Sequence, residues 1–193
     1  MTNQPSNVKR TVVVGSAVFL LLAVVLVGRN RIIGSRRIGQ FTAPSLSGWQ
    51  SEISRPPKED IIFYSKDELH ITLRWLKSRS GNSPKTIQDM QKEEVKEQQW
   101  KATFNKKFHI NMHQQRVLNQ ATTLNGMPAL LTQDVFRDTS PHSTIYSKTL
   151  RFINANNLYR LNSTISVPDK SPVPGDDQLE LDQAWTQITD SLH

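Results

Sequence analysis

Residues 145–167 read IYSKTLRFINANNLYRLNSTISV, in which two apolar runs flank an asparagine-rich turn. The first run, residues 145–153, is rich in β-branched and aromatic side chains. After the turn at residues 154–157, the second run carries apolar side chains on one face: Tyr159, Leu161, Ile165 and Val167. A side-chain period of two is typical of strands, so this stretch predicts an antiparallel hairpin with one apolar face.

Further strand patterns precede this hairpin. The clearest is residues 69–76, where apolar side chains alternate with polar ones: Leu69, Ile71, Leu73 and Trp75. Residues 61–64, 115–119 and 127–136 have the same character, and the turn Asn125-Gly126 comes before the last of them. The chain therefore contains enough strand patterns for a meandering antiparallel sheet.

Two helices are predicted around these strands. Ser83 and Pro84 are typical of a helix N-terminus and open a helix to about Ala102 that lies on the surface of the sheet. Its apolar positions are few: Ile87, Met90, Val95 and Trp100. A second helix closes the sequence, capped by Asp176 or Asp177. Its apolar stripe has helical spacing: Leu181, Ala184, Trp185, Ile188 and Leu192. We expect an α+β fold in which helices cover an antiparallel sheet.

An uncharged run near the N-terminus indicates a membrane anchor. Residues 11–28 read TVVVGSAVFLLLAVVLVG. As a helix this run is about 27 Å long, close to the thickness of the bilayer core. It is longer than the apolar core of a secretory signal and no small-x-small cleavage site follows it, which favours an uncleaved anchor. The predicted organisation is a tail (residues 1–10), a transmembrane helix (11–28), a basic linker (29–47) and a domain (48–193).

The charge of the chain belongs mainly to the flanks of this run. The net charge is +7, from 24 Lys and Arg against 17 Asp and Glu. Six basic residues and no acid lie in residues 1–37, where we expect them at lipid head groups: Lys9, Arg10, Arg29, Arg31, Arg36 and Arg37. The rest of the chain has a net charge of only +1, which argues against nucleic acid as a partner. The chain has no cysteine, which excludes disulfides, a cysteine nucleophile and a lipidated cysteine.

Two rules disagree on the orientation of the anchor. Two basic residues precede the apolar run and four follow it, and the positive-inside rule then puts the C-terminal domain in the cytosol. A basic N-terminus before an apolar run is the usual export signal, however, and long domains translocate largely regardless of charge. We expect an extracytoplasmic domain, with the cytosolic orientation as the open alternative.

No residue pattern assigns a catalytic, cofactor or metal site. His109 and His113 would share a helix face, but their segment looks extended, which puts them about 13 Å apart, so we interpret them as surface histidines. Glu93, Glu94 and Glu97 stand among lysines, and we interpret them as a solvated helix face rather than an acid/base pair. The chain contains no G-x-S-x-G, P-loop or G-x-G-x-x-G motif.

Three stretches resemble the PsbP-like α/β/α fold of lumenal PsbP proteins and DcrB-type envelope proteins. They are a turn into a long strand (residues 124–131, LNGMPALL), a hairpin (150–161, LRFINANNLYRL) and the end of the last helix (188–192, ITDSL). The resemblance implies a non-enzymatic accessory domain that docks on a larger membrane protein complex. Residues 44–50 (PSLSGWQ) after an anchor are similar in layout to accessory proteins of exosortase systems.

These observations predict a single-pass accessory, assembly or binding protein. Its expected place is the periplasmic face of a cell membrane or the lumenal face of a thylakoid membrane. Its expected partners are the lipid bilayer and a larger membrane protein complex, because an anchor raises the effective concentration of the domain against other membrane proteins. The alternatives are an accessory component of an envelope sorting or export enzyme system, and an envelope enzyme whose site is not visible in the sequence.

Overall fold

The computed structural model describes residues 36–76, 84–108, 110, 112–138, 143–168 and 171–192. The predicted tail, the predicted transmembrane helix and linker residues 29–35 lie outside the described residues, as do Ser83 and His109. Within the described ranges, no helix is long and apolar enough to cross a membrane. The anchor stays a prediction from the sequence.

Nine strands and two helices make up the described part of the chain. Their bounds, in chain order, are β1 (Arg37–Ile38), β2 (Phe41–Thr42), β3 (Gln50–Ser54), β4 (Glu59–Lys66), β5 (Leu69–Leu76), α1 (Ile87–Lys107), β6 (Met112–Leu124), β7 (Met127–Asp138), β8 (Ser143–Asn154), β9 (Asn157–Pro168) and α2 (Gly175–Asp190).

Seven of the strands form one antiparallel sheet, and β1 and β2 form a separate small hairpin. The sheet order is β3-β4-β5-β9-β8-β7-β6, so the pairing of β5 with β9 joins the first half of the chain to the second. The predicted hairpin is confirmed: β8 and β9 pair along their whole length around a turn in which Ala155 and Asn156 have positive φ. The antiparallel α+β expectation is therefore confirmed for the described residues.

The edge strand β6 is longer than predicted and contains an irregularity. It has 13 residues, against the five predicted at residues 115–119, and pairs only with β7 among the described strands. Its register against β7 shifts between Arg116 and Leu118, so that Val117 is an extra residue and is 59 % exposed.

One side of the sheet carries the apolar core. The segment before β3 and helix α2 both pack there, and the predicted stripe of α2 is confirmed as buried. Three aromatic rings lie at its centre: Phe41 is 5.9 Å from Phe152 and 4.8 Å from Tyr159, and Phe152 is 5.2 Å from Tyr159, measured between ring centroids. Edge-to-face and stacked pairs at these distances add to the stabilisation from burial.

The described part of the expected linker belongs to this core, which corrects the domain boundary expected at residue 48. Ile38, Phe41, Ala43 and Leu46 are all buried. The segment is therefore part of the domain, although its basic, Gly- and Ser-containing composition is typical of a linker. Gly39, at φ 57°, makes the tight turn between β1 and β2 that brings Ile38 and Phe41 onto the sheet.

The starts of both helices differ from those predicted. Helix α1 begins after Thr86, whose hydroxyl accepts a hydrogen bond from Asp89 N while the Asp89 carboxylate accepts from Thr86 N. This reciprocal capping box fixes the helix start more firmly than Ser83-Pro84 would. The last helix starts at Gly175, so Asp176 and Asp177 lie in its first turn instead of capping it. Their negative charges are favourable there because the helix N-terminus is the positive end of its dipole.

Replacing Phe41 tests whether the segment before β3 is part of the fold. We expect Phe41→Ala to lower the free energy of unfolding by about 3–5 kcal/mol, because it removes a buried ring at the centre of the aromatic cluster. Thr42→Ala is the matched control, since its side chain is exposed, and should change stability by less than about 0.5 kcal/mol. Urea unfolding of both variants measures the difference. Equal stabilities would mean that the segment is not docked.

Candidate functional site

Three arginines form a row across the middle of the sheet, on the side opposite the apolar core. Arg74 on β5 stands directly opposite Arg160 on β9, and Arg160 stands directly opposite Arg151 on β8. Directly opposite residues share a face at about 5 Å, and like charges in such pairs are destabilising. The row therefore needs counter-charges from another element.

Glu97 of α1 supplies the first counter-charge. Its carboxylate accepts hydrogen bonds from Arg160, with Nη2 to Oε2 at 2.6 Å, and from Arg151, with Nη2 to Oε2 at 3.1 Å. Lys101 Nζ, one helical turn further on, lies 3.0 Å from Glu97 Oε1. One carboxylate thus ties two strands of the sheet to α1.

Glu94 supplies the second counter-charge, one turn before Glu97. It pairs with Arg151 and, at 2.5 Å, with Nη2 of Arg116 on β6. Arg116 also bonds both oxygens of Asp134 on β7. This charged network reaches from β9 to the edge of the sheet, and it fixes where along the sheet α1 lies.

The charges in this network determine the pKa of Glu97. Burial alone would raise it, but the attraction of Arg160, Lys101 and Arg151 lowers it from 4.5 to about 2. Glu97 is therefore ionised at neutral pH. Burial and the neighbouring Arg160 also lower the pKa of Arg151, which Glu94 and Glu97 oppose. A carboxylate with so low a pKa is a poor proton donor or acceptor near neutrality, so the network does structural work.

This arrangement corrects the interpretation of Glu94 and Glu97 as part of a solvated helix face, while Glu93, half exposed and paired with Lys96, fits that interpretation. Glu94 is only 5 % exposed, while Val95 and Trp100, which were expected on the apolar face, are 52 % and 61 % exposed. Of the expected apolar positions, Met90 is fully buried. The helix turns its glutamates inward because the sheet face beneath it carries arginines. The signal in the sequence was the arginines at strand positions 74, 151 and 160.

An aromatic strip runs along the second half of α1. It consists of Trp100, Phe104 and Phe108, spaced four residues apart, with centroid distances of 5.2 Å and 4.5 Å between successive rings. Trp100 and Phe108 are 61 % and 55 % exposed. Exposed apolar side chains scattered singly are ordinary, but a contiguous group of large rings indicates a contact surface.

The aromatic strip lies on one flank of α1, and lysines lie on the outer side of the helix. With 3.6 residues per turn, the side opposite Glu94 and Glu97 carries four exposed lysines, namely Lys92, Lys96, Lys106 and Lys107. Lys107 Nζ lies 5.5 Å from the centroid of the Phe108 ring. These lysines and the exposed rings of Trp100 and Phe108 on the adjoining flank form the candidate functional site, which we call the outer face of α1.

The other residues singled out in the sequence do not join this site. His113 is exposed on β6. Arg36 contacts Ser45, and Arg37 Nε donates to the carbonyl of Gly39 at 3.3 Å, so both of these flanking arginines contact the folded domain. Among the described residues, no group of three His, Asp or Glu could hold a metal ion.

The described chain is thus an antiparallel sheet with helices on both sides. Three solved structures are similar to it, each with a low TM-score and low sequence identity. Cyanobacterial PsbP from Synechocystis sp. PCC 6803 has 11 % identity and a TM-score of 0.49, covering 85 % of this chain and 96 % of that one. The protein of unknown function PA94 from Pseudomonas aeruginosa has 11 % identity and a TM-score of 0.40, covering 81 % and 93 %.

The third structure is LpqN, involved in cell envelope biogenesis of Mycobacterium tuberculosis. It has 12 % identity and a TM-score of 0.37, covering 78 % of this chain and 80 % of that one. No protein-family description matches the sequence, and no curated protein matches it. The layout agrees with the α/β/α arrangement implied by the three sequence stretches, while the resemblance to exosortase accessory proteins stays a prediction.

Removing the charge of Glu97 tests the network. We expect Glu97→Gln to lower the free energy of unfolding by roughly 2–3 kcal/mol, because it leaves Arg151 and Arg160 with less counter-charge. Glu93→Gln is the matched control on the same helix. Glu93 is half exposed and pairs only with Lys96 among the described residues, so its change should stay below about 0.5 kcal/mol. Chemical unfolding measures both, and equal losses would contradict the assigned role.

The effect of Glu97→Gln should depend on pH in one direction. Because the pKa of Glu97 is lowered to about 2, its ionised form stabilises the fold above its ordinary pKa of 4.5. That contribution, of about 3 kcal/mol, is lost as the pH falls from about 4.5 towards 2. The stability difference between the wild-type chain and Glu97→Gln should therefore shrink over this range. A difference that does not change with pH would show that Glu97 acts through packing instead.

Proposed function

We propose that this chain is a membrane-anchored, non-catalytic accessory domain that works beside a membrane protein complex, with the domain on the extracytoplasmic face. The observation that carries the proposal is that the buried charges of α1 are paired while its large aromatic side chains are exposed. Glu94 and Glu97 are committed to ion pairs with sheet arginines, while Trp100 and Phe108 are exposed to solvent. An enzyme would instead gather perturbed titratable groups at an open site.

The sequence supplies the membrane part of the proposal. The uncharged run at residues 11–28 is long enough to cross a bilayer, and basic residues stand on both sides of it. A domain tethered in this way meets other membrane proteins at a high effective concentration, so that a modest contact surface suffices for binding. The outer face of α1 is the contact surface that we assign to the membrane side of the domain.

Fractionation and thiol labelling test the anchor and the orientation together. The full chain should stay in membranes after an alkaline carbonate wash. The chain has no native cysteine, so a cysteine introduced at Leu179, which is 58 % exposed on α2, gives a single labelling site. We expect a membrane-impermeant thiol reagent to label Leu179→Cys on intact cells, with the cysteine-free chain as the control.

Three outcomes would contradict the proposal. Extraction by carbonate would remove the anchor, and labelling only after lysis would put the domain in the cytosol. Turnover of a substrate by the purified chain would overturn the non-catalytic role. Native gel electrophoresis after mild detergent extraction checks the partner, since an accessory domain should migrate well above the 22.0 kDa of the chain itself.

A further inference from the structure

We propose that the outer face of α1 lies flat on the bilayer surface and binds anionic lipid head groups. This inference rests on the proposed membrane anchor and names the ligand of the same surface. The chemistry it requires is a negatively charged leaflet with an accessible boundary between head groups and acyl chains.

The charges on the outer face are complementary to such a leaflet. Its four lysines are exposed, and the Lys96 side chain is 71 % exposed. Two acids of the helix stand near them: Glu93, which pairs with Lys96, and Asp89, which is held in the capping box at the helix start. The face therefore keeps a net positive charge. Basic helices with such faces bind anionic membranes, and each lysine near the surface strengthens the attraction.

The rings of the aromatic strip match the depth at which such a helix binds. Tryptophan and other amphipathic rings prefer the interface between head groups and acyl chains, and long lysine side chains lie along it with their amines in the head groups. Trp100 and Phe108 are more than half exposed, so they can enter this layer without unfolding the helix. Because Glu94 and Glu97 hold the inner face of α1 on the sheet, the strip is presented rigidly.

The chain outside the described residues is long enough to permit this docking. The apolar run ends at Gly28 and the described chain starts at Arg36, so seven residues, 29–35, connect them. Seven residues span at most about 25 Å. Arg36 precedes the segment that packs on the other side of the sheet, so this length must pass both α1, about 10 Å thick, and the sheet, about 10 Å from the layer that covers it. A tether of this length is therefore just long enough to let α1 contact the bilayer.

The docked orientation also divides the domain into two sides. With α1 against the lipid, the opposite layer, formed by α2 and the segment before β3, faces away from the bilayer. That layer is then the side open to the membrane protein complex. The lipid contact and the protein contact use different surfaces and do not compete.

Fluorescence quenching in vesicles tests the lipid contact with the full chain. Thr103→Cys, at the centre of the outer face, receives an environment-sensitive fluorophore, and Thr186→Cys on α2 is the matched control. Both threonines are exposed, and each donates its hydroxyl to the carbonyl four residues earlier at 2.9 Å. Both variants are reconstituted into vesicles of phosphatidylcholine, with or without phosphatidylglycerol, that contain lipids carrying a quencher on the acyl chain. Both leaflets have one composition, so the direction of insertion does not matter.

We expect quenching at position 103 to exceed that at position 186 by roughly threefold or more in vesicles that contain phosphatidylglycerol. The excess should disappear in pure phosphatidylcholine, and in a chain that also carries Lys106→Glu and Lys107→Glu. A second variant, Trp100→Ala with Phe108→Ala, should reduce the quenching while its circular dichroism stays unchanged.

Other results would overturn the inference. Equal quenching at positions 103 and 186, in a chain that floats with the vesicles, would leave the anchor intact and reject the lipid contact. Quenching that persists without phosphatidylglycerol would reject the role of the lysines. Protection of position 103 in native membranes but not in vesicles would mean that a protein covers the helix. Loss of the chain from the vesicles on carbonate washing would reject the anchor itself, and the lipid contact with it.

Discussion

The arrangement of this domain depends on the like charges in register across β5, β9 and β8. Three arginines whose Cβ atoms stand about 5 Å apart on neighbouring strands are unfavourable unless carboxylates face them. Glu59 on β4 pairs with Arg74, and α1 supplies Glu94 and Glu97 to Arg151 and Arg160. Such ion pairs add little net stability compared with apolar packing, because the charges must first be desolvated. Breaking one is costly, however, since the partner stays buried without its counter-charge. The network therefore specifies the position and rotation of α1 more than it strengthens the fold.

Different interactions thus hold the elements that pack on the two sides of the sheet. On one side, Phe41, Phe152 and Tyr159 pack with α2 in an ordinary apolar core. On the other, apolar contacts such as those of Met90 and Leu130 are few, and charge pairing aligns the helix. Because ion pairs hold α1 on the sheet, its large aromatic side chains are not needed for packing. Trp100 and Phe108 can therefore be exposed while the apolar core stays intact.

The sequence predicts the strands and the last helix well because their apolar residues repeat with clear periods, as at Leu69, Ile71 and Leu73. It fails where the decisive contact lies far along the chain. Glu94 looks solvated beside Lys92 and Lys96, and only the pairing of strands shows that Arg116 and Arg151 lie beneath it. The linker composition of residues 36–47 failed for a similar reason, because the partners that bury these residues come from β8 and β9. The exposed site on α1 depends on which face of the helix packs against the sheet. The apolar pattern alone predicts the wrong face, because Val95 and Trp100 are exposed.

The irregularity in β6 has a consequence for the behaviour of the domain at high local concentration. β6 is a long edge strand with only one charged side chain apart from His113, and a regular edge of this kind would recruit the same strand of another molecule. The extra residue Val117 interrupts the ladder and increases the local twist, so a second strand cannot stay in register along the whole edge. Crowded copies of this chain are thereby kept from joining edge to edge into a continuous sheet.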